Sequence, residues 1–201
     1  MNVILNFILY FLIFTIIHSA LATDYIKTKA RRLLGDRFRF YRIIYTLISI
    51  LTFAPAFLVW IKYSGSTPVV YSISQWAFPL IILARVLGLG IFAYASYQTD
   101  ILAFTGLKQT HEKSKLITNG AYGIARHPLY ASGILLLVTK MEMSRLDLIA
   151  VLLVSIYLII GAYIEERRLL SIFGDEYRRY RQQVSMFIPV KWVKKQTAKL
   201  L

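Results

Sequence analysis

Cysteine is absent from the 201 residues, which excludes disulfides, thiolate nucleophiles and cysteine-based metal sites. Histidine is almost as scarce: His18, His111 and His127 lie far apart and share no ligand spacing, so no structural metal is expected. No Ser-His-Asp pattern, low-complexity tract or internal repeat is present. Acidic residues number 10 against 24 lysines and arginines, giving a formal net charge of +14. Such a balance suits an anionic partner, and its distribution decides which one.

Apolar residues make up 57% of the chain, and they come in blocks. Residues 2–22, 43–61, 73–97 and 146–164 are each long enough to cross a hydrocarbon core of roughly 30 Å. A fifth block, 129–139, is apolar but short. Backbone polar groups in lipid must be satisfied internally, so the blocks are predicted to be helices. Ala20-Leu21-Ala22 resembles a signal-peptide cleavage site, but no Lys or Arg precedes the first run, which is therefore read as a retained span.

The basic residues follow the spans. Lys and Arg number seven in residues 24–42, one in 62–74, four in 98–128, two in 140–147 and nine in 165–201, with Arg85 inside a block. Five spans put 20 of them on one side against three; a re-entrant fifth block gives 13 against 10. The positive-inside rule selects five, with the N-terminus outside and the C-terminus cytoplasmic. The basic stretch from Lys27 to Arg42 and the tail lysines 191, 194, 195 and 199 then face anionic lipid headgroups rather than nucleic acid. The expected fold is an all-α polytopic membrane helical bundle: five transmembrane helices plus a C-terminal amphipathic interfacial helix, forming one domain over residues 1–201.

Two polar segments interrupt this pattern. In the first, Asn119-Gly120 marks a turn, and Pro128 suits the first turn of a helix, where its missing N–H costs nothing. His127 then stands at a helix N-terminus, whose free N–H groups favour a ligand carboxylate or phosphate. Alternatively, Arg126 and His127 cap that helix as interfacial residues. In the second, Leu169, Phe173, Tyr177, Tyr180 and Val184 recur at helical spacing, which predicts an amphipathic helix. Glu165, four before Leu169, falls on its apolar face and is expected to be buried against a cation: Arg126, Arg85 or a ligand ammonium. Glu166 points toward the polar face and is expected to be solvated or paired with an arginine. Arg85 within a span and His18 near the end of the first are candidate substrate contacts, or else packing and pairing residues.

The pattern Gly120-x-Tyr122-x-x-x-Arg126-His127-Pro128-x-Tyr130, followed by Glu165-Glu166-x-x-Leu169-x-x-x-Phe173-Gly174-x-x-Tyr177-x-x-Tyr180, resembles the isoprenylcysteine carboxyl methyltransferase and phospholipid methyltransferase superfamily. His18-Ser19-Ala20-Leu21-Ala22, Tyr41-Arg42-x-x-Tyr45 and Gly106-Leu107-Lys108-Gln109 resemble its methanethiol S-methyltransferase-like, nitric-oxide-response membrane branch. The resemblance implies a membrane methyltransferase with S-adenosyl-L-methionine held on the cytoplasmic side by about residues 105–190. It assigns cofactor contacts to Gln109, Lys115, Leu116, Ile117, Tyr122, His127, Pro128, Leu129, Tyr130 and Glu165. Arg126 and His127 are the candidates for assisting thiol ionisation. The superfamily's prenylcysteine enzymes place an arginine where this chain has Gly161, so the implied acceptor is a small or lipophilic thiol. A prenylcysteine carboxylate, a phospholipid amine, or a non-catalytic accessory protein of the same fold are the alternatives.

Overall fold

The computed structural model describes residues 2–99 and 115–198, and its regular structure is almost entirely helical. Nine α-helices are described: α1 (Val3–Ala22), α2 (Asp24–Leu34), α3 (Tyr41–Tyr63), α4 (Phe78–Gln98), α5 (Ala121–Ile124), α6 (Pro128–Val138), α7 (Arg145–Phe173), α8 (Asp175–Gln183) and α9 (Val190–Thr197). Two short strands, β1 (Val69–Ser72) and β2 (Glu142–Ser144), pair with each other. Helices α1, α3, α4 and α7 are long and apolar enough to cross a membrane. Their large apolar side chains are widely exposed, as at Leu5, Ile16, Leu51, Leu58, Val86 and Ile164. That surface is untenable in water and natural against lipid. The chain is an all-α, multi-pass integral membrane protein. Helix α6 has 11 residues, about 16 Å at 1.5 Å per residue, and is shorter than the other four.

The described residues gather into two compact units: one of residues 2–71 and 143–150, the other of 72–99, 115–142 and 151–198. In the first unit, α1 starts on Asn2, whose side chain accepts from the Ile4 N–H at 3.1 Å, and Thr23 caps α2 by accepting from the Ile26 N–H at 3.3 Å. The stretch expected as a basic linker is thus partly helix: α2 is amphipathic, and it stops at Gly35, whose φ of 52° a glycine adopts without steric cost. Helix α3 folds back on α1, with Phe14 against Phe53 at 5.1 Å and the Tyr41 hydroxyl donating to the Leu21 carbonyl at 2.7 Å. Ser144 and Asp147 form a reciprocal cap: the Asp147 carboxylate accepts from the Ser144 N–H and hydroxyl at 3.0 and 2.8 Å, and the Ser144 oxygen accepts from the Asp147 N–H at 3.1 Å. Trp60 Nε1 donates to the other carboxylate oxygen at 2.8 Å, so this buried acid is satisfied.

In the second unit, the span expected from Ile73 becomes α-helical only at Phe78, after a 3-10 turn at Gln75–Ala77, with Pro79 in the first helical turn. Helix α6 packs along α4, and Gly88 permits the approach: a Cβ there would lie 3.2 Å from the Leu136 side chain. Helix α7 runs unbroken through the Glu165-Glu166 pair to Phe173. Gly174, at φ 52°, then separates it from α8. The amphipathic helix expected across this region is therefore divided in two by a glycine in left-handed backbone conformation. Tyr177, Tyr180 and Val184 of the later part pack against Leu116, Leu169, Leu170 and Phe173.

Candidate functional site

The site begins with a turn fixed from the end of α4. Gly120 has φ 57°, and Gln98 holds the backbone on both sides of it. Its side chain accepts from the Ala121 N–H at 2.9 Å and donates to the Asn119 carbonyl at 3.2 Å. A Cβ at Gly120 would fall 2.3 Å from Gln98 Nε2 and 2.7 Å from the Tyr94 hydroxyl. Nothing in the sequence announces Gln98, because its partners lie more than 20 residues away and become neighbours only when the chain folds.

From that turn, α5 leads into an extended stretch that pairs with the segment after α8. Ala125 bridges Ser185 in parallel; the Arg126 N–H donates to the Ser185 carbonyl at 2.9 Å and the His127 N–H to that of Met186 at 3.0 Å. Pro128 then starts α6 at the expected position, with His127 as the residue before it. The pairing fixes the direction of two consecutive side chains. Arg126 Nε donates to Glu166 Oε1 at 2.7 Å, both side chains being over nine-tenths buried. The same guanidinium donates to the carbonyls of Arg181, at 3.2 Å, and Val184. His127, 5% exposed, stands between two carboxylates, with Nδ1 3.6 Å from Glu165 Oε2 and Nε2 3.4 Å from Glu166 Oε1. Its ring stacks on Tyr130 at 5.4 Å and meets Phe187 at 5.8 Å. The Tyr130 hydroxyl donates to Glu165 Oε2 at 3.1 Å.

These contacts reverse the expected parts of the two acids. Glu166, not Glu165, is the buried carboxylate: it is 6% exposed, and Glu165 has nearly half its side chain accessible. Glu166 continues the inward stripe of Ala162, Leu169, Leu170 and Phe173 at spacings of three, four and seven, a periodicity legible in the sequence once counted from Phe173. Arg126 is correspondingly a clamp. Its donors are committed to Glu166 and to the end of α8, which leaves it poorly placed to ionise a substrate. An anionic ligand group at His127 is also disfavoured, because Glu165 and Glu166 already flank the ring and like charges repel.

Tyr122 lies near the same acid: burial first, and then the Glu165 charge, pushes its phenol up to about 12. Burial also raises Tyr180, whose hydroxyl donates to the Tyr122 carbonyl at 2.7 Å. Leu116 packs into the Tyr177–Tyr180 cluster, Ile117 is half-buried, Lys115 is exposed, and Pro128 and Leu129 form the first turn of α6. The structure thus brings together Tyr122, Arg126, His127, Tyr130 and Glu165. Gln109 lies outside the described residues. Arg85, on α4, makes no ion pair with Glu165 and has no hydrogen-bond or ion-pair partner among the described residues. His18 belongs to the first unit, where Nδ1 lies 2.8 Å from the Ser49 hydroxyl and Nε2 2.6 Å from that of Tyr45. The Ser49 hydroxyl donates its proton to the Tyr45 carbonyl at 2.7 Å, so it must accept from Nδ1–H, leaving Nε2 to accept from Tyr45.

The chain is similar to known proteins. A methanethiol S-methyltransferase of Pseudomonas sp. (strain GM41(2012)) is 31% identical over 156 residues, covering 74% of this chain and 59% of that protein. Methanethiol S-methyltransferase 1 of Bradyrhizobium diazoefficiens is 41% identical over 68 residues, 34% of this chain and 24% of that one. The methanethiol S-methyltransferase of Crocosphaera subtropica is 29% identical over 191 residues, 88% and 71% respectively. The chain spans about three fifths of the length of the first of these relatives. No solved structure matches. The model of the NnrU protein family matches residues 6–136, from α1 almost to the end of α6, and the chain belongs to the NnrU protein family.

Proposed function

We propose that the chain is an integral membrane methyltransferase that moves a methyl group from S-adenosyl-L-methionine to a small or lipophilic thiol. The observation carrying this reading is the Glu165 carboxylate: half-open, oriented by Tyr130 and beside the His127 ring, with Tyr122 near enough to feel its charge. A carboxylate among aromatic faces suits a cationic ligand, and the proposed donor carries an ammonium and a sulfonium. That the relatives bear the name methanethiol S-methyltransferase supports the thiol as acceptor.

When bound, the donor supplies an activated methyl carbon. An acceptor thiolate would take that carbon, the donor would leave as a neutral thioether, and the thiol proton would pass to solvent. No protein nucleophile is needed, in keeping with a chain that lacks cysteine. The chain's task is to align and to exclude water. Glu165 is assigned to the donor's ammonium, and Tyr130 and His127 hold that carboxylate in place. Tyr122 is assigned to the donor beside it. Arg126 acts through Glu166, anchoring the segment that carries His127, and is a positioning residue. Lys115, Leu116, Ile117, Gln109, Pro128 and Leu129 stay assigned to the donor by family resemblance. A Cβ at Gly161 would meet nothing within 4 Å, so close packing does not impose the glycine, and the missing arginine favours a thiol over a carboxylate acceptor.

The same reading takes α6 as a fifth, short crossing, with the N-terminus outside and the site on the cytoplasmic side against anionic headgroups. The arginine and lysine distribution supports it. The test is a labelled-donor assay on purified protein with methanethiol, longer thiols, phospholipid amines and a prenylcysteine. Thiol turnover with no carboxyl methylation is expected. The reverse result replaces the thiol by the prenylcysteine.

A further inference from the structure

Apart from the His127 cluster, the second unit holds a polar cavity of about 500 Å³, bordered by the 118–124 segment, α8 and α9. Its walls include Thr118, Glu176, Arg179, Gln183, Trp192 and Lys195. Two cations and one carboxylate leave it net positive. Two basic residues near it are engaged elsewhere: Arg178 pairs with Asp175, and Lys191 Nζ donates to the carbonyls of Arg181 and Gln182 at 3.1 and 2.9 Å. Arg179 and Lys195 have no hydrogen-bond or ion-pair partner among the described residues. Two free cations facing one cavity, beside carboxamide, hydroxyl and indole donors, match the oxygens of a phosphate group.

Helix α9 forms one wall of the cavity through Trp192, Lys195 and Gln196. Ile188 is 73% exposed, and Val190 and Val193 are about half exposed, next to Lys191, Lys194 and Lys195. Apolar residues to one side, lysines to the other and an interfacial tryptophan are the marks of a helix lying in the membrane surface, at the depth of phospholipid phosphates.

We infer that this cavity is a phosphate-binding site, with Arg179 and Lys195 as its two cationic contacts. The phosphate can be that of an anionic phospholipid headgroup or a free anion. The site does not depend on the proposed methyl transfer, and its test reads binding alone.

Full-length protein in a phosphate-free detergent is titrated separately with phosphatidylglycerol, inorganic phosphate and oleate, and its unfolding temperature is followed. A saturable rise with phosphatidylglycerol is expected. In R179Q/K195Q the half-effect concentration should rise about tenfold or more, as for loss of charge-assisted hydrogen bonds. The control R178Q/K194Q removes the same charge outside the cavity and should leave it unchanged. Q183E keeps both cations but adds a negative charge to the wall; it should also weaken the effect, so the inference is testable even where the double variant fails to fold. A saturable rise with inorganic phosphate alone, lost in the cavity variants, supports the site and assigns it the free anion. No response to either phosphate source, an equal response to oleate, or equal weakening in R178Q/K194Q overturns it.

Discussion

Arg126 Nε donates to Glu166 Oε1 at 2.7 Å between two buried side chains, and the same guanidinium reaches the carbonyls of Arg181 and Val184. One side chain therefore joins α7, the end of α8 and the extended stretch that carries His127. Breaking a buried pair from one side leaves an uncompensated charge, a cost of about 3–5 kcal/mol. Arg126→Ala and Glu166→Ala should each destabilise the protein on that scale, and the double variant by less than the sum of the two. Chemical unfolding in detergent measures it. Additive losses would mean that the two side chains do not stabilise each other.

Glu165, by contrast, is half-open and is assigned to a ligand. Glu165→Gln should weaken S-adenosylhomocysteine binding by about 1.5–3 kcal/mol, the worth of a charge-assisted hydrogen bond, with little change in unfolding temperature. Calorimetric titration of the folded variant decides it, and unchanged affinity removes Glu165 from the donor site.

Gly120 is strained for any other residue, since its φ is 57° and a Cβ would collide with Gln98 and Tyr94. Gly120→Ala should cost more than about 1 kcal/mol in stability, with the turn displaced from α4. A variant with native stability would show that the turn relaxes freely.

Topology is open to cysteine labelling in this cysteine-free chain. Ser66→Cys and Glu142→Cys should label from outside the cell, and Thr197→Cys should not. Glu142 is a better reporter than its neighbour Ser144, which is 4% exposed and bonded to Asp147. External labelling at Thr197 would contradict the five-span arrangement.

The proposed thiol methylation should accelerate with pH as the acceptor ionises, because a thiol of pKa about 8.5 is only slightly thiolate at neutrality. Tyr122 is held up to about 12 and stays protonated throughout that range, so it contributes nothing to the slope. Its raised value has a separate effect on stability. Folded protein binds the phenolic proton more tightly than unfolded chain does, so this stabilisation is complete below about pH 10 and is lost toward pH 12. Tyr122→Phe should flatten that alkaline loss and leave the slope of the rate unchanged. A rate independent of pH between 6 and 9 would argue against a thiol nucleophile.

The sequence by itself determined the membrane class, four of the long helices and the start of α6. Each of these follows from local chemistry: runs of apolar residues, caps, and a proline that cannot donate a hydrogen bond. The sequence also brought His127 and Glu165 to notice, through the helix start at Pro128 and helical periodicity, and Tyr122 and Tyr130 through family resemblance. It did not assign their neighbours. Glu165 and Glu166 are adjacent on a helix, about 100° apart; the stripe counted from Phe173 marks Glu166 as the inward one but does not say which cation meets it. That was decided by the pairing of Ala125–His127 with Ser185–Phe187, nearly 60 residues further on. Gln98 became a turn clamp, and Arg126 a latch, for the same reason. Only the tertiary structure chose the partner of each polar side chain, because a buried charge or carbonyl must be satisfied by whatever folding brings within hydrogen-bond reach.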